Sequence, residues 1–249
     1  MSLLIGLIAG LFGGLVGLGG GVIMIPLMVG VLKLDQHKAH GTSLVALVFT
    51  GISGAIAYGV KGAVDIPAAA MMAATAMVTA RAGARHAHAL PEWKLKRSFG
   101  AFLLFVSLLM VAKPYLPPIP GMDTGWPKVC VLLFTGMFTG FLSGMMGVGG
   151  GTIMVPAMVL LAGFAQHPAQ GSSLLAMVPA GAVGAYAHGK LGNVRKDLLT
   201  GLIPGILGGT YLGGTLAHQL PEAALRIIFA VVLIWTGVKY LKTRRPVKS

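Results

Sequence analysis

Two glycine triplets, each set inside an apolar run too long for one ordinary helix, constrain this chain more than any other feature. Residues 10–26 read GLFGGLVGLGGGVIMIP, and residues 140–156, a shift of 130, read GFLSGMMGVGGGTIMVP. The same shift carries Gln36-His37 onto Gln166-His167 and Gly41-Thr42-Ser43-Leu44 onto Gly171-Ser172-Ser173-Leu174. It also carries Leu90-Pro91-Glu92 onto Leu220-Pro221-Glu222. A unit of about 120 residues used twice is a half-molecule repeat, not a solenoid period. The chain divides into a first repeat over 1–113, a proline-rich connector over 114–127, a second repeat over 128–241 and a basic tail over 242–249.

The apolar run over 3–32 would measure about 45 Å as one helix, well beyond a hydrocarbon core of about 30 Å. Glycine in a helix interior costs about 1 kcal/mol against alanine, so three in a row favour a break. The pattern predicts a helix over 3–17, a turn over 18–21 and a shorter helix over 22–32, with Pro26 in its first turn. Gly6, Gly10 and Gly14, spaced by four, form a stripe that lets helix backbones approach closely. A polar loop over 33–41 is expected next, then helices over 43–60, 66–85 and 98–113. Asp65-Ile66-Pro67 starts the second of these by capping chemistry. The second half repeats the order: 128–148, a break at 149–151, then 152–163, 173–189, 198–217 and 223–241.

Composition sets the class. The 249 residues are 55% hydrophobic and 10% charged, against about 25% charged in a soluble domain. The expected fold is an all-α polytopic membrane protein of two inverted-topology repeats, each a glycine-broken helix pair with three further helices. The net charge of +13 lies in short loops and at the C-terminus, which reads as a topology signal and not as a nucleic-acid face. With the loop over 81–97 placed inside and each broken stretch returning to its own side, only Lys61, Lys113, Lys128 and Arg226 of the 19 basic residues fall outside. That bias favours an odd number of crossings per repeat, hence inversion, with both termini cytoplasmic. Whether the short second helix spans or is re-entrant stays open at this level. Tyr115, Trp126, Tyr58 and His188 read as interface anchors. The single cysteine, Cys130, reads as a small packing residue and excludes an internal disulfide. The apolar N-terminus has no basic residue before it and reads as retained structure.

The chemistry resides in the breaks. A broken helix at membrane depth leaves backbone N–H and C=O groups unpaired unless protein, water or a ligand meets them. A half-helix N-terminus presents free N–H groups and partial positive charge, a seat for an anion. The candidate binding residues are Gly19, Gly20 and Gly21 in the first break and Gly149, Gly150, Gly151 and Thr152 in the second, facing one small anion across a two-fold axis. Close packing alone is the blander role for these glycines. Thr42, Ser43, Ser172 and Ser173 offer hydroxyls to the same anion, or cap the helices they open. His40 and Gln170 occupy equivalent positions beside them. No metal cluster is expected, since His86-Ala87-His88 lacks further ligands, and no cofactor is implied. All six carboxylates fall at predicted helix ends or in loops, so a coupling proton would travel on the substrate or on His40. No nucleophile–base pair, HExxH motif or buried aspartate pair points to an enzyme. No extramembrane domain points to a scaffold. Glycine-rich outer faces allow a homodimer without requiring one.

The doubled G-x-x-x-G-x-x-G-x-G-G-G-x-x-x-x-P pattern, the Gly-Thr/Ser-Ser-Leu segments and Leu225-Arg226-Ile227-Ile228-Phe229 resemble the sulfite exporter TauE/SafE family of membrane transporters. The first copy departs from it with Lys96-Arg97 where the second has Arg226-Ile227. The resemblance covers nearly the whole chain except connector and tail. It implies a multi-pass permease of the bacterial inner membrane that moves sulfite or a related small organosulfur or carboxylate anion, with export the expected direction. A carboxylate transporter or an anion channel built on the same pore is the alternative.

Overall fold

The computed structural model describes residues 1–86, 92–117, 121 and 124–243. Among them are ten α-helices and no strand: α1 (Ser2–Val16), α2 (Gly21–Val31), α3 (Gln36–Gly59), α4 (Ile66–His86), α5 (Glu92–Ala112), α6 (Gly125–Met146), α7 (Gly151–Leu160), α8 (Gln166–Lys190), α9 (Lys196–Ala217) and α10 (Glu222–Leu241). A 3-10 turn at Lys113–Tyr115 follows α5. Among the described residues four helical stretches, Gln36–Gly59, Lys96–Tyr115, Gly125–Met146 and Glu222–Leu241, are long and apolar enough to cross a membrane.

Each apolar run breaks where its glycines stand. Gly17 and Gly147 end α1 and α6 in the left-handed region, at φ 72° and 63°. Gly19 at φ 82°, Gly20 at 76° and Gly149 at 91° continue it, a conformation that a side chain makes costly. The chain then folds back on itself. A Cβ on Gly13 would lie 2.7 Å from the Gly20 nitrogen, and one on Gly20 would lie 2.7 Å from the Ala9 carbonyl. Helix α2 therefore begins beside the middle of α1. At about 1.5 Å per residue, the short α2 and α7 cover about half a hydrocarbon core each. Pro26 falls in the second turn of α2, one turn later than its sequence position suggested.

The two repeats interlock rather than sit side by side. Helix α1 packs along α9, and its counterpart α6 packs along α4. The glycine stripes make both contacts: Gly10 lies against Ile206 and Thr210, and Gly140 against Ala76. A polar bond reinforces the second, as Thr79 Oγ1 donates to Met137 O at 2.7 Å, and Ser53 Oγ of α3 donates to Leu207 O of α9 at 2.8 Å. Equivalent helices pair antiparallel. Gly41 of α3 meets Asn193 just past the end of α8, and within the pair Gly51 meets Leu174 and Tyr58 meets Gly171. In α5 and α10, Gly100 meets Gly237 and Leu241.

Several expectations change. Helices α3 and α8 begin at Gln36 and Gln166, so the supposed loop over 33–41 is largely their first turns, and Thr42, Ser43, Ser172 and Ser173 do not cap them. Asp35 caps α3, accepting from His37 N at 3.0 Å. Tyr58 and His188 are buried in the bundle, not interface anchors. Lys96 is buried at the start of α5, where its ammonium donates to Gln36 Oε1. Cys130 is exposed rather than packed. Asp65 does cap α4, accepting from Ala68 N at 2.8 Å. His88 and Asp123 lie outside the described residues.

Candidate functional site

The two breaks meet at the centre of the bundle. A Cβ on Gly21 would stand 2.7 Å from Gly147 O and 2.8 Å from Val148 O. Reciprocally, Gly151 lies against the Gly17 carbonyl and Leu18. Only glycine admits this approach, because each α-carbon rests on the carbonyls of the opposite break. The N-termini of α2 and α7, each with its share of helix-dipole charge, are thereby brought to one place. Gly19–Gly21 and Gly149–Thr152 are one cluster in space.

The four hydroxyls flanking the breaks hold this frame in matched pairs. Ser43 Oγ lies 2.9 Å from Gly147 O and 2.7 Å from His40 O. Ser173 Oγ lies 3.0 Å from Gly17 O and 2.8 Å from Gln170 O. Thr42 Oγ1 accepts from Arg195 N at 3.0 Å, and Ser172 Oγ accepts from Asp65 N at 2.8 Å. Tyr58 and His188 extend the pattern: Tyr58 OH donates to Gly14 O at 3.0 Å, and His188 Nε2 lies 3.2 Å from Gly144 O. The Ser43–Gly147, Ser173–Gly17, Thr42–Arg195 and Ser172–Asp65 bonds cross between repeats, the others stay within one, and each has its counterpart 130 residues away.

The polarity of the two halves is unequal. Among the described residues, Thr139 Oγ1, Thr152 Oγ1, Thr210 Oγ1 and Gln170 Nε2 are buried without a hydrogen-bond partner. Thr139 and Thr152 occupy the positions of Ala9 and Val22 in the first repeat, so the second break carries two spare hydroxyls where the first carries methyls. Thr139 packs against Gly150, whose Cβ would meet its methyl at 2.7 Å. The Gly150 N–H donates to the Met177 sulfur at 3.3 Å. A thioether is a weak acceptor, and an anionic oxygen makes a stronger partner for the same N–H. Thr139, Gly149, Gly150, Met154 and Met177 line a cavity of about 10 Å³, close to the smallest that holds a water. Leu47 and Met177, equivalent in the repeats, both lie against Gly19, and Leu47 also lies against Gly149. They plug the space between the breaks.

Sequence reasoning missed Thr139, Thr210, Leu47 and Met177. A signal for Thr139 existed: a hydroxyl inside an apolar helix, about two turns before the helix ends at the glycine break. Of the residues it did select, His40 is buried in α3, 6% exposed, and not in a loop. Gln170 is fully buried with Oε1 2.9 Å from Tyr58 OH. Among the described residues no group of His, Cys, Asp and Glu could hold a metal ion.

An all-helical bundle whose two glycine-broken helix pairs meet at its middle has the build of a membrane transport protein. The model of the family described as "Sulfite exporter TauE/SafE" matches residues 2–240, and the chain belongs to that family. It is similar to the "Probable membrane transporter protein YunE" of Bacillus subtilis (strain 168), with 29% identity covering 95% of each chain. It is also similar to a "Probable membrane transporter protein" of Xylella fastidiosa (strain Temecula1 / ATCC 700964), with 28% identity over 94% of this chain and 90% of the other. No solved structure matches the chain. The protein is a membrane transporter and not an enzyme.

Proposed function

We propose that the protein is a secondary permease for a small anion, sulfite or a related organosulfur anion, and that it exports this anion across the bacterial inner membrane. One observation carries the reading: at the N-terminus of α7, the Gly150 N–H is spent on a thioether beside the buried Thr139 hydroxyl, and two residues further along the chain Thr152 carries another buried hydroxyl, neither with a partner. A tetrahedral or pyramidal oxyanion supplies what all three donors lack. In this reading Gly19–Gly21 present the facing half-helix, and Thr42, Ser43, Ser172 and Ser173 keep the two breaks in register. His40 and Gln170 stand one turn behind them. The antiparallel pairing of α3 with α8 supports repeats inverted across the bilayer, and the basic bias of the loops supports cytoplasmic termini. The anion gains admission when Leu47 and Met177 draw apart, which the flexible Met177 side chain favours.

The test is flux in purified, reconstituted protein with sulfite, thiosulfate, sulfoacetate and acetate. Saturable sulfite or sulfonate flux with counterflow is expected. Acetate flux alone would overturn the substrate class, and non-saturable flux without counterflow would make the protein a channel.

A further inference from the structure

The second-repeat side of the bundle holds a row of titratable groups that the anion site does not use. Glu222, in the first turn of α10, is half exposed, and its Oε1 lies 3.8 Å from His167 Nδ1. The other ring nitrogen of His167, Nε2, lies 3.1 Å from Ala217 O. Ala217 O can only accept, so Nε2 donates to it, and the Glu222 carboxylate stands at ion-pair distance from Nδ1, beyond hydrogen-bond reach. The His167 and His218 rings lie 5.0 Å apart. His218 Nδ1 lies 2.8 Å from Gly214 O, which fixes the proton of the neutral ring on that nitrogen. His218 Nε2 is then a basic nitrogen, buried and without a partner among the described residues. Beyond it stands the Tyr58 ring, 4.8 Å from that of His218. The Tyr58 hydroxyl reaches Gly14 O and Gln170 Oε1, at the end of α1 where the first break begins.

We propose that His218 is the coupling-proton site of the permease, loaded from solution through Glu222 and His167. The inference rests on the permease reading and adds how transport is driven. One proton passes from His167 to His218 Nε2, and His167 is re-protonated from Glu222 or water, so the proton count balances. The His218 imidazolium lies at the C-terminal carbonyls of α9, which favour a cation, and against the Tyr58 ring, which does the same. Its positive charge stands behind the first break and compensates an anion held between the two. Glu222 of α10 and Tyr58 of α3 face the pair. Lys113 lies close enough to both Glu222 and Arg226 to join the same charge balance. The first repeat carries the same residue types at His37, His88 and Glu92, the positions equivalent to His167, His218 and Glu222.

Two measurements test this. The first needs no substrate. Nitrogen NMR of histidine-labelled protein, assigned with His218→Gln and His167→Gln, is expected to show His218 Nε2 bare in alkaline buffer and protonated in acidic buffer. A His218 that stays neutral throughout overturns the proposal alone. The second uses proteoliposomes with sulfite or sulfoacetate. A pH gradient should stimulate wild-type flux about tenfold, a factor that one pH unit supplies per coupled proton. His218→Gln should keep counterflow exchange and lose that stimulation. Stimulation that survives in His218→Gln overturns the coupling site and leaves the permease reading intact. Wild-type protein that moves none of the anions overturns the permease reading and the coupling together.

Discussion

The Ser43 hydroxyl has one proton and two carbonyls within reach, His40 O and Gly147 O, and Ser173 repeats the arrangement with Gln170 O and Gly17 O. Replacing either serine by alanine leaves a buried carbonyl of the break with one partner fewer, a loss of about 1–3 kcal/mol. Ser43→Ala and Ser173→Ala should each lower the unfolding temperature in detergent, and by similar amounts, because the sites are equivalent. An unchanged unfolding temperature would free these hydroxyls for ligand instead. The sequence marked the serines through their repetition but gave them two roles, capping and anion binding. It could not show the opposing carbonyls, which lie 104 and 156 residues away. Thr139 escaped for the opposite reason. Its counterpart is Ala9, so comparing the repeats hides it.

At the scale of helices, neighbouring glycines of α9 have opposite environments. A Cβ on Gly208 meets nothing within 4 Å, whereas one on Gly209 would stand against the Leu7 carbonyl of α1. Gly208→Ala should therefore be neutral or stabilise the helix by up to about 1 kcal/mol. Gly209→Ala should pry α1 from α9 and reduce folded protein in the membrane. Size-exclusion profiles of the two variants in detergent check this directly. The glycine stripe itself was legible, since spacing by four puts Gly6, Gly10 and Gly14 on one face. The starts of α3 and α8 were not legible. Gln36, His37 and Lys38 are polar and follow a break, so they read as loop. In the fold they form the first helical turn at the rim of the bundle, with Gln36 bonded to Lys96 of α5. Tertiary pairing overrode the polarity signal.

Over the whole molecule, reciprocal pairing of α1 with α9 and of α6 with α4 makes each repeat complete the other. If the antiparallel α3 and α8 are inverted across the bilayer, the loops that follow them face opposite sides. In a Cys130→Ala background, Lys61→Cys should react with an impermeant thiol reagent from outside only, and Lys190→Cys from inside only. Labelling of both from one side would contradict the inverted arrangement. The repeat and its breaks could be read from glycine spacing, and the meeting of those breaks from the inversion that the loop charges implied. The unequal polarity of the two breaks could not, because it depends on which side chains the interlock brings against Gly150.

That inequality is also where the anion site is most exposed to test. Thr152→Val converts the second break to the residue the first already carries, Val22, with no change of shape, and removes one buried hydroxyl. The most direct measurement is the sulfite concentration dependence of flux in proteoliposomes for wild type, Thr152→Val and Thr50→Val. The Thr50 hydroxyl bonds within its own helix to Ala46 O at 3.1 Å and serves as the control. A hydrogen bond to an anion is worth about 1.5–3 kcal/mol, so Thr152→Val should raise the half-saturating concentration about tenfold or more, with Thr50→Val unchanged. Equal half-saturation in all three proteins would contradict an anion site at the second glycine break.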